Sequence, residues 1–437
     1  VMQHAVLIPG TSSVLFFEDG AGAKILDTNT GAITPEPAGN NLFCAGQTVL
    51  SDGRVMVLGG DAAGNPQYGS VATNIYNPAD GSFTPAASMH AIRWYPTGTR
   101  MPDGRVLATD GTNSGVVQQT PEIYDPANNT WTLLPASANL NIAYYPFMFV
   151  LPDGRLLEAG AFDLNGYPIK VLDPNTWTWS TVDSRVIPAG SATMYRPGKI
   201  LRTGTPGGPG TTAQPGSALA YTIDMTSPSP SLVQTGSMHN PRVFLNLQTL
   251  PDGNVLVTGG DRTHDLTSAA GAVYAAEEWS PATGQWTTLA SNQVPRFYHS
   301  VQVLLPDGRV LVGGGWGGAG GDTDRQRTYE IYSPPYLFKG ARPTITSAPG
   351  SAGYGSGFTV TTPNASQISS VVLTSPSATT HNFDENNRYV PLAFSVSGGA
   401  LHVTAPPNAN YAPPGPYLLW IVDGNGVPSV ADWITIS

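Results

Sequence analysis

The sequence predicts an all-β protein: a seven-bladed β-propeller followed by a C-terminal immunoglobulin-like β-sandwich. Three observations carry that expectation. A turn-and-strand unit recurs seven times before Arg342. Gly and Pro, 50 and 40 of 437 residues, exceed one residue in five, the composition of many tight turns. No stretch of useful length places its apolar residues at the 3.6 period of a helix.

The repeat is explicit in five copies. "LSDGRVMVLGGD" starts at Leu50, "MPDGRVLATDGT" at Met101, "LPDGRLLEAGAF" at Leu151, "LPDGNVLVTGGD" at Leu250 and "LPDGRVLVGGGW" at Leu305. Two degenerate copies, "LIPGTSSVLFFEDG" from Leu7 and "YRPGKILRTGTP" from Tyr195, fill the gaps. The period of about 50 residues is that of kelch-type blades. Pro sets φ at the turn and Gly permits φ > 0; the R-V-L-V run that follows reads as a short buried strand. A second turn, as in "YNPADGSF" at Tyr76 and "YDPANNTW" at Tyr124, gives each unit a second hairpin. Four strands per blade in a closed ring leave few exposed edges. The propeller is assigned to residues 1–342. Residues 343–437 lack the repeat, show short alternating strands such as "FTVTTP" and "YLLWIVD", and are assigned to the sandwich.

Composition excludes some classes of function. Charged residues are 11% of the chain, net charge is −10 and no basic run occurs, which opposes nucleic-acid binding. No apolar run approaches the ~20 residues of a membrane-spanning helix. The sequence opens at Val1 without a signal-peptide pattern, so either a cytosolic protein or a mature form is read. Few lysines and abundant Gly, Pro, Ser and Thr favour a secreted protein, and a monomer is expected.

Aligning the blades exposes a candidate site. Counting eight residues back from each turn Asp reaches Cys44, Tyr95, Tyr145, Phe244 and His299. Equivalent positions on innermost strands converge at one mouth of the channel, so Cys44, Tyr95 and His299 are expected to be neighbours. Tyr298 precedes His299, and adjacent strand residues face opposite ways; both reach one site only if the strand start is irregular. Imidazole with phenolate points towards copper or iron. Taken singly, a buried cysteine or tyrosine is more often packing; the shared register is what singles these out. A kelch-type propeller that only binds a protein or glycan is the competing reading, and sialidase-like hydrolysis lacks a paired-carboxylate arrangement.

These segments resemble the copper radical oxidases, the galactose oxidase and glyoxal oxidase family, across propeller and C-terminal domain. "NLFCAG" resembles its cysteine segment and "RWYPTGTRMPDGRVL" the segment of the tyrosine linked to that cysteine. "RFYHSVQVLLPDGRVLVGGG" resembles the axial tyrosine–histidine motif, and "SPSATTHNFDENNRYVPL" the C-terminal loop whose histidine enters the propeller. The resemblance implies one copper ion held by Tyr95, Tyr298, His299 and His381. It implies a Cys44–Tyr95 thioether that stores a radical, with Tyr298 as general base. It implies oxidation of a small aldehyde or alcohol by dioxygen, with release of hydrogen peroxide.

Two departures shape the substrate expectation. The place of galactose oxidase's stacking tryptophan falls at Asn113, leaving Trp94 and Trp316 as candidates for it. The place of its sugar-binding arginine falls at Asn141. Small aldehydes of the glyoxal type, oxidised as hydrates to acids, are therefore favoured over a galactose-type alcohol. Tyr145 and Tyr195 join Trp94 and Trp316 as pocket candidates. His4, His90, His239, His264 and His402 match no ligand motif and are expected to be structural or exposed.

Overall fold

The structure, a computed structural model, describes the chain except residues 19, 63–64, 163–165, 188–189, 205–214, 264–267 and 316–324, and the side chains of 21 and 65–67. Among the described residues, seven antiparallel sheets succeed one another along the chain as the blades of a propeller. Their innermost strands are His4–Leu7, Ala45–Val49, Thr97–Arg100, Pro146–Val150, Ser191–Arg196, Val243–Thr249 and Ser300–Leu304, numbered here blades one to seven. From blade two onward each packs on the next, and blade seven returns to blade one. Between blades one and two the strand Ala378–Thr380, from the C-terminal region, completes the ring.

The turn signature has a physical basis in every explicit copy. Gly53, Gly104, Gly154, Gly253 and Gly308 all have φ between +82° and +89°, which a side chain resists. The turn Asp accepts the amide of the residue two positions on, as Asp52 does from Arg54 at 3.1 Å; where that residue is Arg the Asp also pairs with its guanidinium, as Asp52 does at 2.7 Å. These pairs are exposed, so they shape the turn more than they stabilise it.

The C-terminal region is a sandwich. A sheet of Ser351–Ala352, Asp432–Ile436, Gly415–Asp423, Ile368–Thr374 and Tyr389–Leu392 faces one of Gly357–Thr361, Ala400–Thr404 and Phe394–Ser397. Alternation along its central strands assigns the two faces. Val371, Leu373, Leu419 and Ile421 enter the sandwich core. Val372, Leu418, Trp420 and Val422 pack on Val301, Val303 and Val312 of blade seven. Both faces of Gly415–Asp423 are thus covered, which is why it reads as an unbroken apolar run.

Candidate metal centre

The five register positions share one backbone feature. Cys44, Tyr95, Tyr145, Phe244 and His299 have φ of 60°, 66°, 40°, 56° and 65°. Bulky L-residues avoid this left-handed region, at a cost of about 1–3 kcal/mol each, and such strain collects at functional sites. The geometry resolves the problem of Tyr298 and His299. A left-handed residue at the strand start swings its predecessor to the same side, so the two rings stack at 3.8 Å and 26°. Trp94 and Tyr95 do the same at 3.9 Å and 14°.

The surroundings hold the strained backbone. Tyr95 N–H donates to the Cys44 carbonyl and Tyr145 N–H to the Tyr95 carbonyl, each at 2.9 Å, linking blades two, three and four. Behind Tyr95, the buried Arg93 donates to the Asp110 carbonyl at 2.7 Å and to Glu122 at 3.0 Å. Arg242 with Glu277 and Arg296 with Glu330 repeat the device behind Phe244 and Tyr298.

His381 arrives from the sandwich on a hairpin. Ala378–Thr380 pairs with His4–Val6 of blade one and returns through Phe383–Asp384. The two-residue turn is His381-Asn382, with φ of 44° and 70°, the sign pattern of a type I′ hairpin. Its tip places His381 among the inner-strand residues. The ring lies 4.6 Å from that of Tyr145, 4.5 Å from Tyr95 and 4.5 Å from His299.

The ligand-type atoms converge. Cys44 Sγ and a ring nitrogen from each of His299 and His381 lie within 4.8 Å of one another, all buried. The hydroxyls of Tyr95 and Tyr298 are 2.7 Å apart. Thr380 Oγ1 donates its proton to the Gln3 carbonyl at 3.1 Å, so at 2.7 Å from His381 Nδ1 it accepts, and that nitrogen is the protonated one. His381 Nε2 is then a buried acceptor with no hydrogen-bond partner, a cost that a metal removes. Gln3 Nε2 lies 3.2 Å from His299 Nδ1 and orients that ring. Burial, reinforced by neighbouring histidines, holds both imidazoles well below their usual range, so they stand neutral. Burial and then the nearby Cys44 push both phenols up. Two imidazoles, a thiol and two phenols form a donor set suited to copper.

Other predicted residues find varied places. Trp94 is the ring stacked on Tyr95. Its backbone pairs reciprocally with Thr112 at 2.7 Å, so it occupies the space expected beside Asn113. Tyr145 is fully buried between Tyr95 and His381, and its hydroxyl donates to the Ala45 carbonyl at 2.9 Å; it is wall, with no free group for substrate. Tyr195 is remote from the centre. It lies at the turn end of Ser191–Arg196 and packs edge-on against Trp279 at 4.9 Å. Trp316 and His264 fall outside the described residues. Asn141 is exposed.

Several residues escaped the sequence reading. His4 is fully buried, its Nε2 accepts the Cys44 amide at 3.0 Å, and burial lowers its pKa to about 3. Gln3 and Thr380 orient the ligand rings. The charge of Arg325 reaches His299, and that of Asp61 reaches Tyr298. Half-buried Phe43 and Tyr144 flank the centre. No signal in the chain order points to these, since each acts across blades.

Residues 342–436 match the family model described as Galactose oxidase-like, Early set domain. Galactose oxidase of Gibberella zeae is 29% identical over 94% of this chain, which spans 63% of that relative's length. Aldehyde oxidase GLOX of Vitis pseudoreticulata is 27% identical over 95% of this chain and 86% of its own. Aldehyde oxidase GLOX1 of Arabidopsis thaliana is 27% identical, covering 95% and 75%. A solved structure described as a fungal alcohol oxidase of the AA5 family in complex with copper shares the fold. Its TM-score is 0.89 at 24% identity, covering 100% of this chain and 97% of that one.

Proposed function

We propose that this homologue of galactose oxidase and of the GLOX aldehyde oxidases is a copper radical oxidase. It oxidises small aldehydes, as hydrates, to carboxylic acids and passes two electrons to dioxygen, giving hydrogen peroxide. The observation that carries the reading is the convergence of Cys44 Sγ with the His299 and His381 nitrogens beside the paired Tyr95 and Tyr298 hydroxyls. His299, His381, Tyr95 and Tyr298 would hold copper, which supplies Lewis acidity and accepts one electron.

The remaining work falls to the chain. Tyr298, hydrogen-bonded to Tyr95 and packed between Phe162 and Phe244, takes the substrate hydroxyl proton as general base. Tyr95, bonded to Cys44 through sulfur, carries the radical and abstracts a hydrogen atom from the substrate carbon. Trp94 covers the Tyr95 ring at 3.9 Å and shields the radical from solvent. The proton taken by Tyr298 and the hydrogen atom taken by Tyr95, with the one electron that bound copper would accept, balance a two-electron oxidation. His4, through the Cys44 amide, and the Arg93–Glu122 pair keep both halves of the cross-link in place.

An alcohol substrate is the second reading, and one observation favours it. The charge of Arg325 adds to the lowering of the His299 pKa, so an arginine stands within electrostatic reach of the centre, as a contact to substrate hydroxyls would require. A peroxide-coupled screen of glyoxal, methylglyoxal, glycerol and galactose decides between them. Turnover led by glyoxal or methylglyoxal supports the aldehyde reading; turnover led by galactose overturns it. We further read the propeller as residues 1–342, the sandwich as 343–437, and the protein as a monomer that its composition suits to secretion. No described helix is long and apolar enough to cross a membrane.

A further inference from the structure

The hairpin that delivers His381 continues as Asp384-Glu385-Asn386-Asn387-Arg388, a buried polar run inside the channel. Its side chains satisfy groups of the inner strands that no neighbouring blade pairs. Asn387 Oδ1 accepts the Met194 amide of blade five at 2.8 Å, and Arg388 donates to the Val150 carbonyl of blade four at 2.8 Å. Glu385 binds elsewhere. Its Oε2 accepts the Gln47 amide at 3.1 Å and the Gly98 amide at 2.6 Å. Gln47 lies three residues beyond Cys44, and Gly98 three beyond Tyr95. One carboxyl oxygen thus joins the two strands that carry the cysteine and the tyrosine.

A second observation shows that this spacing is built in. A Cβ on Gly46 would lie 2.8 Å from the Pro96 carbonyl oxygen and 3.2 Å from Gly98 N. A Cβ on Gly98 would meet Leu58 Cδ2 at 2.8 Å. Only glycine lets the two strands approach so closely here. The Tyr95-to-Cys44 backbone bond pins them at one level, and Glu385 pins them three residues further in. Gln47 also donates from Nε2 to the Thr379 carbonyl at 2.9 Å, tying the strand to the hairpin itself. The other oxygen, Glu385 Oε1, is buried without a hydrogen-bond partner, as is Arg100 Nη1. Both residues line a cavity of about 20 Å³, room for one water.

We propose that Glu385 is a positioning residue for the Cys44–Tyr95 cross-link: it sets the separation of the two strands so that sulfur meets the tyrosine ring. This rests on the copper radical reading above. In the step it serves, the Cys44 S–H and one Tyr95 ring C–H bond break and an S–C bond forms. The two protons and two electrons released go to dioxygen, giving hydrogen peroxide. The C-terminal region then has two tasks at the centre, a ligand from His381 and a template from Glu385. The role belongs to maturation, since the covalent bond replaces the clamp once it has formed.

The test follows cross-linking by intact mass after copper is added in air to protein prepared without copper. Wild type is compared with Glu385→Gln, Glu385→Asp and Asn387→Ala, with bound copper measured in each. Gln keeps the length and one acceptor; Asp keeps the carboxyl group but falls a methylene short. The expected order is wild type, Gln, then Asp, with Asp slower by about 10-fold or more per copper-bound molecule, because small misplacements are costly to bond formation. Asn387→Ala, on the same loop, matches wild type. Glu385→Asp brought to complete cross-linking turns over within about 3-fold of wild type, which a general structural defect would not allow. Equal cross-linking rates for Asp and wild type overturn the proposal. Failure of wild type itself to lose two hydrogens would instead remove the copper radical reading beneath it.

Discussion

Blades three and six place different side chains on the same kind of strand start. "SMHAIRWY" and "SMHNPRVF" begin alike, and their backbones are held alike. In blade three Glu122 accepts the amides of His90 and Ala91 and pairs with buried Arg93. In blade six Glu277 accepts those of His239 and Asn240 and pairs with buried Arg242. Arg93 continues to the Asp110 carbonyl and Arg242 to that of Gly259, both carbonyls belonging to left-handed residues. Tyr95 and Phe244 then stand at φ of 66° and 56°. The strained strand start is therefore a property of the scaffold, present where no ligand is offered. Chemistry comes from the side chain placed on it, here a phenol in blade three and a phenyl in blade six.

The comparison can be broken most severely by exchanging those side chains. Tyr95→Phe should abolish the cross-link and lower turnover by about 10³-fold or more, a barrier increase of about 4 kcal/mol. Phe244→Tyr should leave turnover within about 3-fold, since its ring already packs 5.3 Å from Tyr298 without reacting. Comparable losses from the two exchanges would mean that strain, not the phenol, carries the activity.

Removing the scaffold tests the other half. Arg93→Ala and Arg242→Ala should each destabilise the fold by about 3–5 kcal/mol, because each leaves a buried carboxylate without its partner. Denaturant unfolding should give similar losses. Only Arg93→Ala should also slow cross-linking, since only its strand carries Tyr95. Next in size is the pH dependence of copper binding. Burial keeps both phenols protonated in the copper-free centre, while His299 and His381 are neutral already. Binding therefore expels phenolic protons, and affinity should rise with pH by about tenfold per unit for each proton released. A titration from pH 5 to 8 should show that slope without an imidazole break near pH 6.5. Trp94→Phe is the mildest change: it keeps a stacked ring and should shorten the radical's lifetime by about 10-fold or less, followed by decay of its visible absorption.

The centre is legible in the sequence where chain spacing sets geometry. Eight residues separate each turn Asp from its register position, and a short strand between them leaves little freedom. That count alone therefore brings Cys44, Tyr95 and His299 together. The sign of φ at those positions is not written in composition. Strand alternation alone separates Trp94 from Tyr95, so it gives no hint of the stack between them. His4, Gln3 and Glu385 act from other blades or from the sandwich, across distances in sequence that no local pattern spans. Tyr195 misleads because the degenerate "YRPGK" turn of blade five marks the far end of its strand.

The central claim is that Cys44 and Tyr95 form one redox group beside copper. Load copper-free protein with one equivalent of copper in air, digest it, and map the peptides by mass. The account predicts a molecule two hydrogens lighter than its sequence, with Cys44 and Tyr95 in one linked peptide and no thiol open to alkylation. Copper bound at the centre, full sequence mass and an alkylatable Cys44 would contradict it.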